Sequence, residues 1–179
     1  EATARAAFRE HTDVRAVVHV CGDDVATVAA SVVDTAPADW DARNERLLRE
    51  ALVALQAAHD VLVDAGGGRI VLVTATAGIS GAGGLVPYVA AVEGVRALGK
   101  SAARQWGDRG IGVNTVLVPL ELIDPGAGSL VSFLSPPARG RSTRLIDDVA
   151  SAVAWLSGPN GTHVTGAAVV VDGGSVMAP

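Results

Sequence analysis

The chain has 179 residues, 49% of them apolar but only 3% aromatic, and a formal net charge of −5. That length supports one domain with ample core, and the lack of any basic run argues against nucleic acid as a partner. The single cysteine, Cys21, excludes an internal disulfide, and no apolar run or leader pattern suggests a membrane or secretion, so a cytoplasmic protein is expected.

In chain order, residues 2–10 read as the end of a helix and 14–20 (VRAVVHV) as a buried strand. Residues 23–34 read as loop with a short helix. Thr35 and Pro37 signal a helix start, and 38–64 is a long amphipathic helix stopped by Gly66-Gly67-Gly68. A strand follows at 69–75. Residues 86–107 form a helix led by Tyr88 and stopped by Gly110, and 111–118 form a third strand. Pro125, Gly126, Pro136, Pro137 and Gly140 make 120–142 mainly loop, with a short helix at 129–135. A helix at 145–157 and a strand at 167–172 close the chain. This alternation predicts a doubly wound parallel α/β sheet with right-handed crossovers, in a single domain over 1–179. The Ala, Val, Leu and Gly content suits such a sheet. The four histidines, His11, His19, His59 and His163, share no metal-ligand spacing with each other or with Cys21, so no metal is expected.

The block from Arg69 to Pro119 reads RIVLVTATAGISGAGGLVPYVAAVEGVRALGKSAARQWGDRGIGVNTVLVP. It resembles the central part of the short-chain dehydrogenase/reductase family. There a Ser after the first strand precedes a Tyr by 13 positions, and a Lys follows the Tyr by four. The corresponding residues here are Ala75, Tyr88 and Val92. A Trp-Asp pair, Trp40-Asp41, matches the family's helix opening, and its helix-borne Asn, seven residues past the Trp, falls on Leu47. The family's Asn-Asn-Ala-Gly turn is His19-Val20-Cys21-Gly22, with only the Gly kept. Residues 146–174 (IDDVASAVAWLSGPNGTHVTGAAVVVDGG) resemble the family's closing helix, its Thr-Gly turn at Thr165-Gly166 and its strand end at Val171–Gly174. The likeness covers essentially the whole chain and implies a Rossmann-like fold.

The resemblance also implies what is missing. In the family, a hydride moves between a nicotinamide and a carbonyl or alcohol carbon while the Tyr transfers a proton. A phenol titrates near pH ~10, so it needs help to act at neutral pH. A Lys at i+4 shares the Tyr's helix face, lowers its pKa and holds the nicotinamide ribose. Val92 can do neither, and Ala75 cannot hydrogen-bond a substrate oxygen. Thr74 points to the opposite face of its strand. Lys100 lies about 120° around the helix from Tyr88. After Val113-Asn114-Thr115-Val116 the family has x-Pro-Gly, whereas Leu117-Val118-Pro119-Leu120 puts a side chain where close backbone approach wants none. Of the four family groups only Tyr88 remains, and a Tyr opening a helix is commonly just packing.

The family opens with strand, Gly-rich turn and helix, whose amides cradle dinucleotide phosphates. About two βαβ units of that front, roughly 60 residues, have no counterpart here. Strand 14–20 would then be an apolar edge, so a longer natural protein, or another chain on this edge, is expected. Three functions fit. One is a non-catalytic subunit that binds no cofactor itself and pairs, through helices 38–64 and 86–107, with a homologous NAD- or NADP-dependent alcohol or 3-hydroxyacyl-type dehydrogenase, or with itself. The second is an oxidoreductase with an altered centre around Tyr88. The third is a small-molecule-binding module flanked by the Ile79–Val86 and 120–142 loops.

Overall fold

The structure, a computed structural model, describes residues 11, 13–22, 30–127, 136–140 and 144–177. Strand β1 is Ala16–Val20. A short helix α1, Pro37–Trp40, runs through a π-helical turn at Asp41–Glu45 into α2, Arg46–Asp64. Strand β2, Gly68–Ala75, leads into the four-residue helix α3, Ala77–Ser80, and then α4, Val86–Trp106. Strand β3, Ile111–Val118, is followed by the short helix α5, Leu120–Ile123. Helix α6, Leu145–Ser157, and strand β4, Ala168–Val170, complete the order.

The sheet is parallel throughout, in the order β1-β2-β3-β4. Strands β2 and β3 pair over their whole length, from Gly68 opposite Ile111 to Ala75 opposite Val118. Every residue of β3 is buried, as a strand covered on both faces requires.

Each face of the sheet takes alternate residues. Ile70, Leu72, Ile111 and Val113 face α2 and α4, and meet Ala51, Leu55, Ala58, Leu62 and Val95. The α2 residues among these recur at helical spacing, which places them on one stripe. Gly94 permits α2 and α4 to approach, because a Cβ there would lie 2.7 Å from Leu48 Cδ2. Val71, Val73, Val116 and Val118 face the other way, onto Val149, Val153 and Leu156 of α6. Each such large apolar side chain contributes about 1.5–3 kcal/mol by leaving water.

This two-sided layering bears out the doubly wound sheet and corrects one detail. The connections β2 to β3 and β3 to β4 step in the same direction, yet α4 and α6 lie on opposite faces. They therefore have opposite hands, and the right-handed rule cannot hold for both. The crossover through α6 is the odd one, since α2 and α4 share a face.

Other expectations shift in smaller ways. The helix expected at 38–64 is interrupted by the π-helical turn. Thr35 does not cap it: its hydroxyl donates to the Ser31 carbonyl at 2.6 Å, and the N-cap position is Ala36. Residues 120–123, read as loop, form α5. The final strand pairs only over 168–170 rather than 167–172. Helix 2–10, most of segment 23–34 and helix 129–135 lie outside the described residues.

Strand β1 pairs on one side only among the described residues, and Val18 and Val20 are about half exposed, at 47% and 52%. The tight return from α2 to β2 depends on Gly67. Its φ is +122°, and a Cβ would lie 2.9 Å from the Gly110 carbonyl oxygen. Asn114 ties β3 to the segment before β4. It is buried, donates from Nδ2 to the Val164 carbonyl at 2.7 Å, and accepts from the Ala167 N–H at 3.1 Å. After β4, the buried Asp172 carboxylate accepts from the N–H groups of Gly174, Ser175 and Val176, which fixes the closing turn.

Candidate active site

The C-terminal ends of β2 and β3 bring the family-matched positions together. Ala75 is the last residue of β2. The chain turns through α3, and Ala30 donates its N–H to the Gly84 carbonyl at 2.7 Å beside the start of α4. Asn44, in the π-helical turn, donates from Nδ2 to the Pro87 carbonyl at 3.2 Å and so links that turn to the first turn of α4.

Ala75, Tyr88 and Val92 then share one buried cluster with Leu85 and Leu120, and Leu47 packs against it. All four positions singled out in the sequence are therefore neighbours. What they form is an apolar plug. Val92 and Ala75 have no exposed surface and Leu120 only 1%. Thr74 has the strand phase of Ile70 and Leu72, the side that faces α2 and α4, and its buried hydroxyl has no hydrogen-bond partner among the described residues. Lys100 is exposed.

Tyr88 sits at the edge of the plug, 8% exposed. Its hydroxyl is buried and has no hydrogen-bond partner among the described residues. Burial pushes its pKa well above the ordinary phenol value, and the Cys21 thiol and Asp124 carboxyl push in the same direction. Cys21 is itself buried, and its thiol is raised to about 12, first by burial and then by Glu50. Asp124 and Asn44 are the polar residues that the sequence reading passed over. No motif marks either, and the π-helical turn changes which residues face α4.

Tyr88 is the only tyrosine in the chain, so tyrosinate absorbance at 295 nm reports it alone. In the native protein that signal is expected to stay flat through pH ~10, where a free phenol ionises. The unfolded chain then releases a proton that the folded chain keeps. Stability is thus intact below pH ~10 and falls as pH rises above it, so the 295 nm signal should appear together with unfolding. A reversible native titration near pH 10 would contradict this environment.

A family model described as enoyl-(acyl carrier protein) reductase matches residues 1–176. The chain belongs to the short-chain dehydrogenase/reductase family. D-threitol dehydrogenase of Mycolicibacterium smegmatis is 30% identical over 164 residues, covering 84% of this chain and 62% of that protein. (3R)-3-hydroxyacyl-CoA dehydrogenase of Rattus norvegicus is 32% identical over 150 residues, covering 78% of this chain and 55% of that one. The crystal structure of acetoin dehydrogenase from Enterobacter cloacae superimposes with a TM-score of 0.77 at 26% identity, over 97% of this chain and 68% of that one. This short-chain dehydrogenase/reductase chain thus spans less than two thirds of the length of the curated relatives it matches. It is a member of an oxidoreductase family whose relatives are named as dehydrogenases and reductases. Among the described residues, no helix is long and apolar enough to cross a membrane, and no group of three or more His, Cys, Asp or Glu could hold a metal ion.

Proposed function

We propose that this chain is a non-catalytic family member that pairs with an active NAD- or NADP-dependent dehydrogenase, of alcohol or 3-hydroxyacyl type, and supports it structurally. The observation that carries this reading is the Tyr88 hydroxyl, buried without a partner among the described residues and raised in pKa. A proton-transfer group works best with a pKa near the operating pH. Here every neighbour acts the other way. Val92 offers no cation, Ala75 no hydroxyl, and Leu47 no amide. The residues beside Tyr88 do not fit a nicotinamide ribose either, since Val92 and Leu120 present only buried methyl groups. Losing a general acid/base alone costs about 10²–10⁴-fold in rate.

A scaffold without chemistry is retained when it is a partner's surface. Leu52 and Val63, about three turns apart on one side of α2, are exposed at 42% and 37%, and such apolar positions suit packing against a second subunit. The test is native mass spectrometry of the protein isolated from its source. The expected result is a heteromer with a dehydrogenase relative that keeps its Tyr and Lys, with nucleotide only on that relative. A homo-oligomer carrying NAD(H) or NADP(H) would overturn the proposal and favour an altered centre at Tyr88.

A further inference from the structure

We propose that Asn160 is a site of spontaneous covalent modification, its side-chain amide being lost through a succinimide closed by the backbone nitrogen of Gly161. This chemistry is independent of any activity at Tyr88. The chain holds three asparagines, Asn44, Asn114 and Asn160, and only Asn160 is followed by glycine. Glycine has no Cβ, so nothing hinders the approach of its nitrogen to the preceding side chain.

The structure sets the three apart as well. Asn114 is buried, and both ends of its amide are bonded, to the Val164 carbonyl and the Ala167 N–H. Asn44 lies in the π-helical turn, donates to the Pro87 carbonyl and is followed by Glu45. Asn160 is exposed, and its amide bonds to no described residue. It sits in a 3₁₀ turn, Pro159–Gly161, between α6 and β4. Three backbone bonds hold this turn and its junction with α6. Gly158 donates to the Trp155 carbonyl at 3.3 Å, Gly161 to the Gly158 carbonyl at 3.3 Å, and Thr162 to the Pro159 carbonyl at 3.4 Å. All three exceed the usual N–H···O range of about 2.7–3.2 Å. The nitrogen that must attack is the donor of one of these long bonds, and a brief local opening of the turn frees it.

The reaction needs only the chain and water. Gly161 N gives up its proton and bonds to Asn160 Cγ, the Cγ–Nδ2 bond breaks, and the side-chain nitrogen leaves as ammonia. Water then opens the imide ring at either carbonyl. One opening leaves aspartate; the other leaves isoaspartate, in which the main chain runs through the former side chain. Because the attacking nitrogen must lose a proton, the rate rises with pH.

The isoaspartate product lengthens the main chain beside a residue with no room to move. A Cβ on Gly161 would lie 2.8 Å from the Trp155 carbonyl oxygen and 3.2 Å from Leu156 Cα. The Gly161 carbonyl accepts from the Val164 N–H at 3.0 Å, and the Val164 carbonyl is the one that Asn114 holds. The modification thus strains the tie between β3 and the segment entering β4. The new carboxylate also places negative charge just past the C-terminal end of α6, where the helix dipole disfavours it.

The test is incubation of the native full chain at mildly alkaline and mildly acidic pH, followed by peptide mapping with mass spectrometry and by labelling with an isoaspartate-specific carboxyl methyltransferase. The free peptide spanning residues 157–163 sets the unrestrained rate. Amide loss is expected at Asn160 alone, faster at alkaline pH, with isoaspartate among the products and a lower Tm in the aged protein. Asn160→Gln, whose longer side chain closes the ring far more slowly, should lose the labelling and keep its Tm on ageing. Its initial folding should be unchanged, because the Asn160 amide holds nothing. A native chain that stays unmodified at Asn160 while the peptide converts, or amide loss that falls equally on Asn44 and Asn114, overturns the proposal.

Discussion

Replacing Val92 by Lys is expected to destabilise the protein by about 3–5 kcal/mol, the cost of an uncompensated buried charge. In an active member of the family the same substitution would be read as restoring a catalytic group. Here the position is fully buried in one apolar cluster with Tyr88, Leu120 and Ala75, and the neighbouring Glu93 carboxylate is already paired with Arg96. The ammonium would have to shed water, lose its proton or force the plug open. Urea unfolding of Val92→Lys beside Val92→Met separates charge from size, since Met fills a similar apolar role. If the Lys variant kept full stability and tyrosinate formed near neutral pH, the plug would be wet enough for proton transfer. The non-catalytic reading would then fail at its base.

Asn114→Ala is expected to cost about 2–4 kcal/mol, because it leaves the Val164 carbonyl and the Ala167 N–H without their partner and opens a small void. Few single changes should hurt more, since this side chain holds the segment entering β4 against β3. Asn114→Asp adds a sign that a void alone would not produce. A carboxylate keeps the bond from Ala167 but opposes the Val164 carbonyl, whereas the protonated acid can donate to it. Burial would raise the folded pKa above the ordinary carboxylate value of ~4. The stability of Asn114→Asp should thus be present below pH ~4 and be lost as pH rises through the folded value. Denaturant midpoints at pH 4 and pH 7 check this; a flat profile would mean the site is open to water.

The parts of the fold legible in the sequence are those where chemistry is local. The apolar runs at 69–75 and 111–118, bounded by Gly66–Gly68 and Gly110, are strands within a residue of their expected limits. The helix led by Tyr88 spans Val86–Trp106, because Pro87 starts it and Ala91, Val92 and Val95 recur on its buried side. Aligned motifs placed Leu47, Ala75, Tyr88 and Val92 in one neighbourhood, and the residue types themselves showed that the groups supporting the Tyr are gone; that its hydroxyl is buried and unbonded was not legible. What stayed hidden depends on contacts made across the fold. Nothing in Thr35 reveals that its hydroxyl is taken by Ser31. The face on which α6 lies is set by packing against Val71, Val73 and Val116, not by its own periodicity.

The π-helical turn at Asp41–Glu45 has a consequence for how this helix can vary in length. A π turn is a regular helix carrying one residue too many. Removing a single residue between Asp41 and Glu45 would let α1 and α2 fuse into one continuous α-helix, with the stripe of Ala51, Leu55, Ala58 and Leu62 still aimed at the sheet. A deletion anywhere further along α2 would rotate that stripe by about 100° and turn leucines toward water. The turn is thus the stretch of this helix where a residue can be lost without scrambling the core.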